Sequence, residues 1–388
     1  MKSTKLLSLF SSLIFLFTYF SLSGQDSFSS KTENEQASSS QKIAAVLVGN
    51  NKGGTVSVID AKKLEVISEI DCKPDWEEYA KKAVSEENKY LNAKLGIKYV
   101  DDLDVMPDGK TLLVSRPVFN DIAAFDILSQ ELLWKVDLGM RPDHQVMSED
   151  GKFLFVSMLA NSQGLKVDLE KREVVGSYPT GQGPHSIVLD HGENWLYSAS
   201  LVDPLIMIVN PKTLEIKDTL RFSAGVRPFK ITDDNKRIIT QLSYYSGLVE
   251  YDIAEKKVIR KVQLPIPEHV KNMPKSDYPF MAAHHGISIS PDRKFISSVG
   301  TVSDYVAILS YPELKLLKTF ETGIQPSWAT NGFDGDSFFV SARGNDKVYV
   351  FSYSKQELIK EIKVGKYPQR MARAMIQMEE ENLARGDQ

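Results

Sequence analysis

The chain has 388 residues, 47 of them basic and 51 acidic, with both signs scattered, and that near-neutral balance argues against a phosphate-tracking surface and against nucleic acid as a partner. Cys72 is the single cysteine, so the chain holds no intramolecular disulfide. It also contains no Walker loop, HExxH pair, CxxC pair or GxSxG elbow, which removes the usual support for P-loop and nucleophilic chemistry.

In chain order, the first feature is a leader: basic Lys2 and Lys5, an apolar run from Leu6 to Phe20, then the small polar stretch Ser21 to Gly24. The run is short for a membrane span and is promptly followed by polar residues, so 1–24 reads as a cleaved secretory signal peptide, with an uncleaved anchor as the alternative. Residues 25–41, rich in Ser, Glu and Gln, read as a disordered spacer. The expected address is exported: periplasmic, cell-surface-associated or secreted, with no stable membrane span after cleavage.

From 42 to 376 the chain repeats. A turn-and-strand pattern resembling DGKxLxVS recurs with its turn residue at Gly109, Gly151, Glu193, Asn235, Arg293 and Gly335, at intervals of 42, 42, 42, 58 and 42 residues. A period near 42 matches a four-stranded propeller blade. Within each unit short β-branched and aromatic segments alternate with Gly, Asn, Asp or Pro clusters, the grammar of strands joined by hairpins. The third strands align as TVSVID (55–60), IAAFDI (122–127), LVEYDI (248–253) and VYVFSY (348–353). Asp60, Asp126, Asp168 and Asp252 close third strands once per blade, which marks them as turn-formers.

The first unit lacks an inner strand, and the C-terminal VGKYPQRMARA (364–374) supplies one, because Pro368 falls 42 residues after Pro326 in the column Pro142, Pro184, Val226, His284, Pro326, Pro368. The expected fold is therefore all-β: a seven-bladed β-propeller closed by a C-terminal inner strand, with one inserted helix. Residues 377–388 form a polar C-terminal tail, with Glu379 to Glu381 reading as a solvated helix end.

Two insertions break the period. The first, roughly 73–98, carries Trp76, Tyr79, Ala83, Tyr90, Leu91 and Leu95 at a partly helical apolar spacing, so it reads as the inserted helix, with Trp76 and Tyr79 packed on the ring. The second, 265–283, holds prolines that exclude a regular helix and reads as a loop of the kind that covers a site. Both join an outer strand to the next inner strand. One face of the ring is thus elaborated.

The column after the proline reads Asp101, Asp143, His185, Arg227, His285, Ser327 and Gln369, and the next adds Asp102, His144, Trp328 and Arg370. His144, His185, His284 and His285 converge on the channel mouth, flanked by Arg116, Arg227 and Arg343. Imidazoles and carboxylates around one opening suit an anionic ligand, proton transfer, or a metal or haem iron. No fixed metal-ligand spacing occurs, so no metal is assigned; haem or a divalent metal are the cofactors such a mouth could take. Neighbours on a strand point to opposite sides, so His284 and His285 are not expected to face one ligand together. The mouth itself is expected to be a wet rim that contributes little to the core.

VGNNKGGTVSVID (48–60), RPFKITDDNKRIITQLSYYSGLVEYDI (227–253), HHGISISPDRKFI (284–296) and GNDKVYVF (344–351) resemble the YVTN-type β-propeller repeat proteins, which are WD40-like in architecture. The likeness covers nearly all of residues 43–373. More distantly the chain is similar to haem d1-binding propellers, seven-bladed lactonases and amine-dehydrogenase heavy chains. It departs from the repeat pattern where His191 and Gly192 replace the usual turn, Arg293 its glycine and Val226 the column proline, and it spells seven blades where haem d1 propellers have eight. No lactonase catalytic set is matched, so catalytic residues remain unassigned. The resemblance implies a binding module or scaffold, engaging a protein or small-molecule ligand through its loop face, as an envelope or surface interaction protein or adhesin. The alternative is a periplasmic enzyme or cofactor carrier, a metal-assisted hydrolase or lactonase or a haem d1-type oxidoreductase, using the His-rich mouth.

Overall fold

A computed structural model describes residues 40–81 and 86–379; the leader, most of the expected spacer, Ala83 and the last nine residues lie outside that range. The described chain forms seven four-stranded antiparallel sheets, each made of consecutive strands except one. The exception is the closing blade, in which the strand Pro368–Glu379 pairs with Ser40–Asn50, from Ser40 opposite Glu379 to Asn50 opposite Pro368. The pairing therefore runs through Glu379, so residues 377–379 belong to the strand and not to a polar tail or helix end, while Glu380 and Glu381 lie outside the described residues. Ring closure leaves the propeller without an unpaired inner strand in its first blade.

The repeated turns explain why the period survives degenerate residues. All six turn positions take left-handed backbone, with φ from 54° at Glu193 to 82° at Gly335. Asn235 tolerates that region, whereas Glu193 and Arg293 adopt it at a steric cost that the flanking strands hold in place. The acidic column behaves as expected: Asp60 accepts from the backbone N–H groups of Lys62 and Lys63, Asp126 from those of Leu128 and Ser129, and Asp168 from those of Glu170 and Lys171. Apolar residues from facing sheets bury between blades, as where Leu113, Ile122 and Ala124 of one blade meet Leu154, Val156 and Val167 of the next.

The first insertion contains two helical segments, Trp76–Lys81 and Glu86–Leu95, with 82–85 between them undescribed. Trp76 packs edge-on against Tyr99 and Phe119, and Tyr79 lies over Phe119 with ring centroids 4.8 Å apart, so both aromatics pack where the spacing placed them. The second insertion contains a single helical turn, Glu268–Lys271, followed by 3-10 turns at Lys275–Asp277 and Pro279–Met281. Among the described residues no helix is long and apolar enough to cross a membrane.

Candidate functional site

Every inner strand that starts in the proline column carries the same irregularity. Its pairing with the second strand slips between Pro142 and Gln145, between Pro184 and Ile187, between Val226 and Phe229, and between Pro326 and Trp328. A bulge of this kind re-aims the residues inside it. Asp143 and His144 are such a pair, and both turn to the channel: Asp143 meets the His185 Nδ1 in a short contact, and the His144 ring lies 3.9 Å from that of His185, centroid to centroid. Strict alternation fails there because the strand is not regular. His284 and His285 precede the strand that begins at Ile287, and their rings diverge: His284 faces Ser298 Oγ at 2.9 Å and Tyr305 Oη at 3.4 Å, away from the cluster.

His285 Nδ1 faces the backbone carbonyl oxygen of Ser327 at 3.0 Å, and its Nε2 lies 3.2 Å from His185 Nε2. Gly286 follows, where a Cβ would sit 2.6 Å from Trp328 Cα and from Ala329 N; only glycine lets these two inner strands approach so closely. Beneath the histidines, Arg370 stacks on Trp328 with its guanidinium carbon 3.7 Å from the ring centroid, and is held by Asp102 through Nε at 2.7 Å and through a second short contact. Its Nη1 lies 3.4 Å from His144 Nδ1.

Above the histidines is a cavity of about 160 Å³. His185, His285, Arg227, Arg343 and Gln369 line it from the ring, Gly96, Ile97 and Lys98 from the first insertion, and Pro279, Phe280 and Ala282 from the second. The insertions meet over it: Lys98 Nζ sits 4.6 Å from the Phe280 ring centroid while also bonding Asp101 Oδ1 at 3.1 Å. Each strap is anchored. Arg141 donates to Asn92 Oδ1 and to the Gly96 carbonyl, both at 2.8 Å, and the Tyr244 N–H donates to the Met281 carbonyl at 3.0 Å. Phe280 and Met281 have φ of 50° and 64°, a strained conformation for side-chain-bearing residues of the kind that clusters at ligand clamps.

This roof corrects the expectation of a wet rim. Asp101, Asp143, His185, Arg227, His285, Ser327 and Gln369 are all buried. Burial governs their titration. It pushes the Asp101 carboxyl up to about 6, with Lys98 opposing and Asp143 reinforcing, and it holds His144, His185 and His285 well below the ordinary histidine range. It also pulls Arg227 down to about 9, helped by the Arg343 charge and opposed by Asp143.

Arg227 is fully buried, and none of its three guanidinium nitrogens has a hydrogen-bond partner. Arg343 Nε, Asp101 Oδ2 and His144 Nε2 are likewise buried without partners. Since nearly all buried polar groups in folded proteins are paired, the spare guanidinium donors of Arg227 and Arg343 at one cavity are chemically distinctive. Arg116, by contrast, lies outside the cavity lining: it is saturated by Asp75, Asp121 and the Cys72 carbonyl, and it ties the first insertion to the ring. Sequence reasoning missed Lys98 and Phe280 as site residues. Lys98 appeared only as the end of an insertion, and a lone phenylalanine among prolines carries no periodic signal.

A tetrapyrrole does not fit this cavity: about 160 Å³ is below the roughly 300–1,000 Å³ of sites for drug-sized ligands, and the Lys98–Phe280 contact closes the approach. No family model matches the chain, and no curated protein matches it. Solved structures are similar in fold. The match to a putative 6-phosphogluconolactonase from Bacteroides fragilis has a TM-score of 0.63 at 15% identity, covering 86% of this chain and 98% of that one. Hydrazine synthase of Kuenenia stuttgartiensis matches with a TM-score of 0.59 at 15% identity, covering 71% of this chain and 95% of that one. Dihydro-heme d1 dehydrogenase NirN, in a complex with DHE, matches with a TM-score of 0.56 at 11% identity, covering 84% and 74%. At these identities the likeness establishes what the chain is as a fold, a seven-bladed β-propeller, and leaves its chemistry to its own residues.

Proposed function

We propose that this protein is an exported binding module whose ligand is a small anion held in the roofed channel mouth. The observation that carries the reading is Arg227: a fully buried guanidinium lining the cavity with every nitrogen unpartnered. An isolated buried charge is costly, and an anion accepting from Arg227 and Arg343 would relieve that cost through charge-assisted hydrogen bonds. The cavity, smaller than the sites of drug-sized ligands, favours a small ligand built on a carboxylate, phosphate or sulfate head. The roof favours a small molecule over a protein partner at this position. Entry requires the Phe280 strap to part from Lys98.

The test is a thermal-shift and calorimetric panel of acetate, glycolate, lactate, phosphate and sulfate against the purified chain and Arg227→Met. At least one anion should raise the midpoint saturably in the parent, and the variant should lose that shift. If no anion distinguishes the two proteins, the reading is wrong. Export rests on the Lys2, Lys5 and Leu6 to Phe20 leader; mass spectrometry of envelope or secreted material should find a mature N-terminus near Gly24 or Gln25. An intact leader would convert the module to an anchored one.

A further inference from the structure

The three histidines beneath the cavity stand in a relation that hydrogen bonding alone does not satisfy. Asp143 and the Ser327 carbonyl are acceptors at the Nδ1 atoms of His185 and His285, so both Nδ1 atoms carry hydrogen and both Nε2 atoms present lone pairs. Those two Nε2 atoms face each other at 3.2 Å. Two lone pairs at that distance repel unless a cation lies between or beside them. The third ring, His144, has a buried Nε2 with no partner, and its Nδ1 contact with Arg370 at 3.4 Å is longer than the usual hydrogen-bond range and so leaves the tautomer free. His284 makes the contrast: its two nitrogens face hydroxyl groups of Ser298 and Tyr305, which rotate to suit either tautomer.

We propose that His144, His185 and His285 bind one divalent late first-row transition-metal ion of the zinc class. One donor atom from each lies within 4.8 Å of the others. Around a tetrahedral zinc with Zn–N bonds of about 2.0–2.1 Å, adjacent nitrogens lie about 3.4 Å apart, close to the separation of His185 and His285. Imidazole suits such ions, and each of these two rings has the outer partner, a carboxylate or a backbone carbonyl, that orients metal-bound histidine. Three protein nitrogens leave one position open, and His185 and His285 both line the cavity that Arg227 and Arg343 border. An anion in that cavity would complete the coordination. The metal site stands on the imidazole geometry and not on Arg227, so the two readings fail separately.

The experiment uses the full mature chain stripped with chelator in HEPES without small anions, titrated first with Co²⁺ and then with Zn²⁺. One equivalent of Co²⁺ should give visible bands of a nitrogen-rich, low-coordinate site, and Zn²⁺ should displace it. His185→Gln combined with His285→Gln should weaken affinity by more than about 100-fold, while Asp143→Asn, which keeps all three rings, should weaken it about 10–100-fold. His191→Ala, at an exposed ring that faces the Ile231 carbonyl and Asp233 and not the trio, should bind like the parent. Absence of stoichiometric Co²⁺ and Zn²⁺ binding by the folded parent would overturn the proposal and leave a shared proton as the bridge between His185 and His285. So would parent-like affinity in the double variant or in Asp143→Asn, and the latter decides the matter should the double variant fold poorly.

Discussion

Two fully buried arginines, one at the corner where the first insertion joins the ring and one at the channel mouth, occupy environments of opposite logic. Arg116 donates from Nε and Nη2 to Asp121 at 2.8 and 2.7 Å, and from Nη1 to Asp75 at 2.7 Å and to the Cys72 carbonyl at 3.0 Å. Its guanidinium also lies 4.0 Å over the Phe119 ring. The Arg227 guanidinium has no hydrogen bond at all. Equal burial with unequal satisfaction separates a structural charge from a receptive one: the first is spent on its neighbours, the second is kept in reserve for a molecule the chain does not supply.

The comparison breaks most sharply at the saturated corner. Arg116→Ala strands Asp121 as a buried carboxylate without its cation and leaves Asp75 with Lys135 alone, and removing one member of a buried ion pair costs about 3–5 kcal/mol. Equilibrium urea unfolding at neutral pH should show that loss with anion binding retained. A change below 1 kcal/mol would mean that the corner is not held by charge.

Asp101 sharpens the comparison from the acidic side. Its carboxyl is pushed up to about 6 by burial, above the ordinary value of about 3.9, so the folded state holds a proton that the unfolded state releases between about pH 4 and 6. Its contribution to stability is therefore full below about pH 4 and is lost as pH rises through 6, by about 3 kcal/mol at most. Asp101→Asn cannot titrate. The stability of the variant relative to the parent should rise across that window; a flat difference would show that Lys98 compensates the charge fully.

Much of the fold was legible because periodicity is a property of the chain itself. The 42-residue spacing held at Glu193 and Arg293 although neither is glycine, since a left-handed turn imposed by two flanking strands survives an unfavourable residue. The register of Pro368 likewise foretold that the C-terminal segment supplies the inner strand of the first blade, where Pro368 pairs opposite Asn50. The site was legible only as a set of columns. His144 joined His185 through a bulge, and a bulge adds a residue's rotation without leaving a composition signal. The roof was less legible still: Lys98 meets Phe280 across 182 positions, and nothing in either insertion encodes the other. Arg116, Arg227 and Arg343 read identically as letters. What tells Arg116 apart is its partners: Asp121, five residues on, and Asp75, brought to it by a helix start 41 residues upstream.

The unsatisfied side of the comparison predicts an effect of opposite sign. If Arg227 is held in reserve, its burial burdens the unliganded protein, and Arg227→Met should remove that burden while filling a similar volume. The recovery should be about 1–3 kcal/mol, the usual cost of leaving a buried polar group unpaired. Chemical denaturation of the anion-free chain should therefore find the variant more stable than the parent, whereas most buried substitutions destabilise. Saturating anion should reverse the order, because the parent gains binding energy that the variant lacks. A variant less stable than the anion-free parent would show that Arg227 already has its partners within the fold, and would place it with Arg116 among the spent charges.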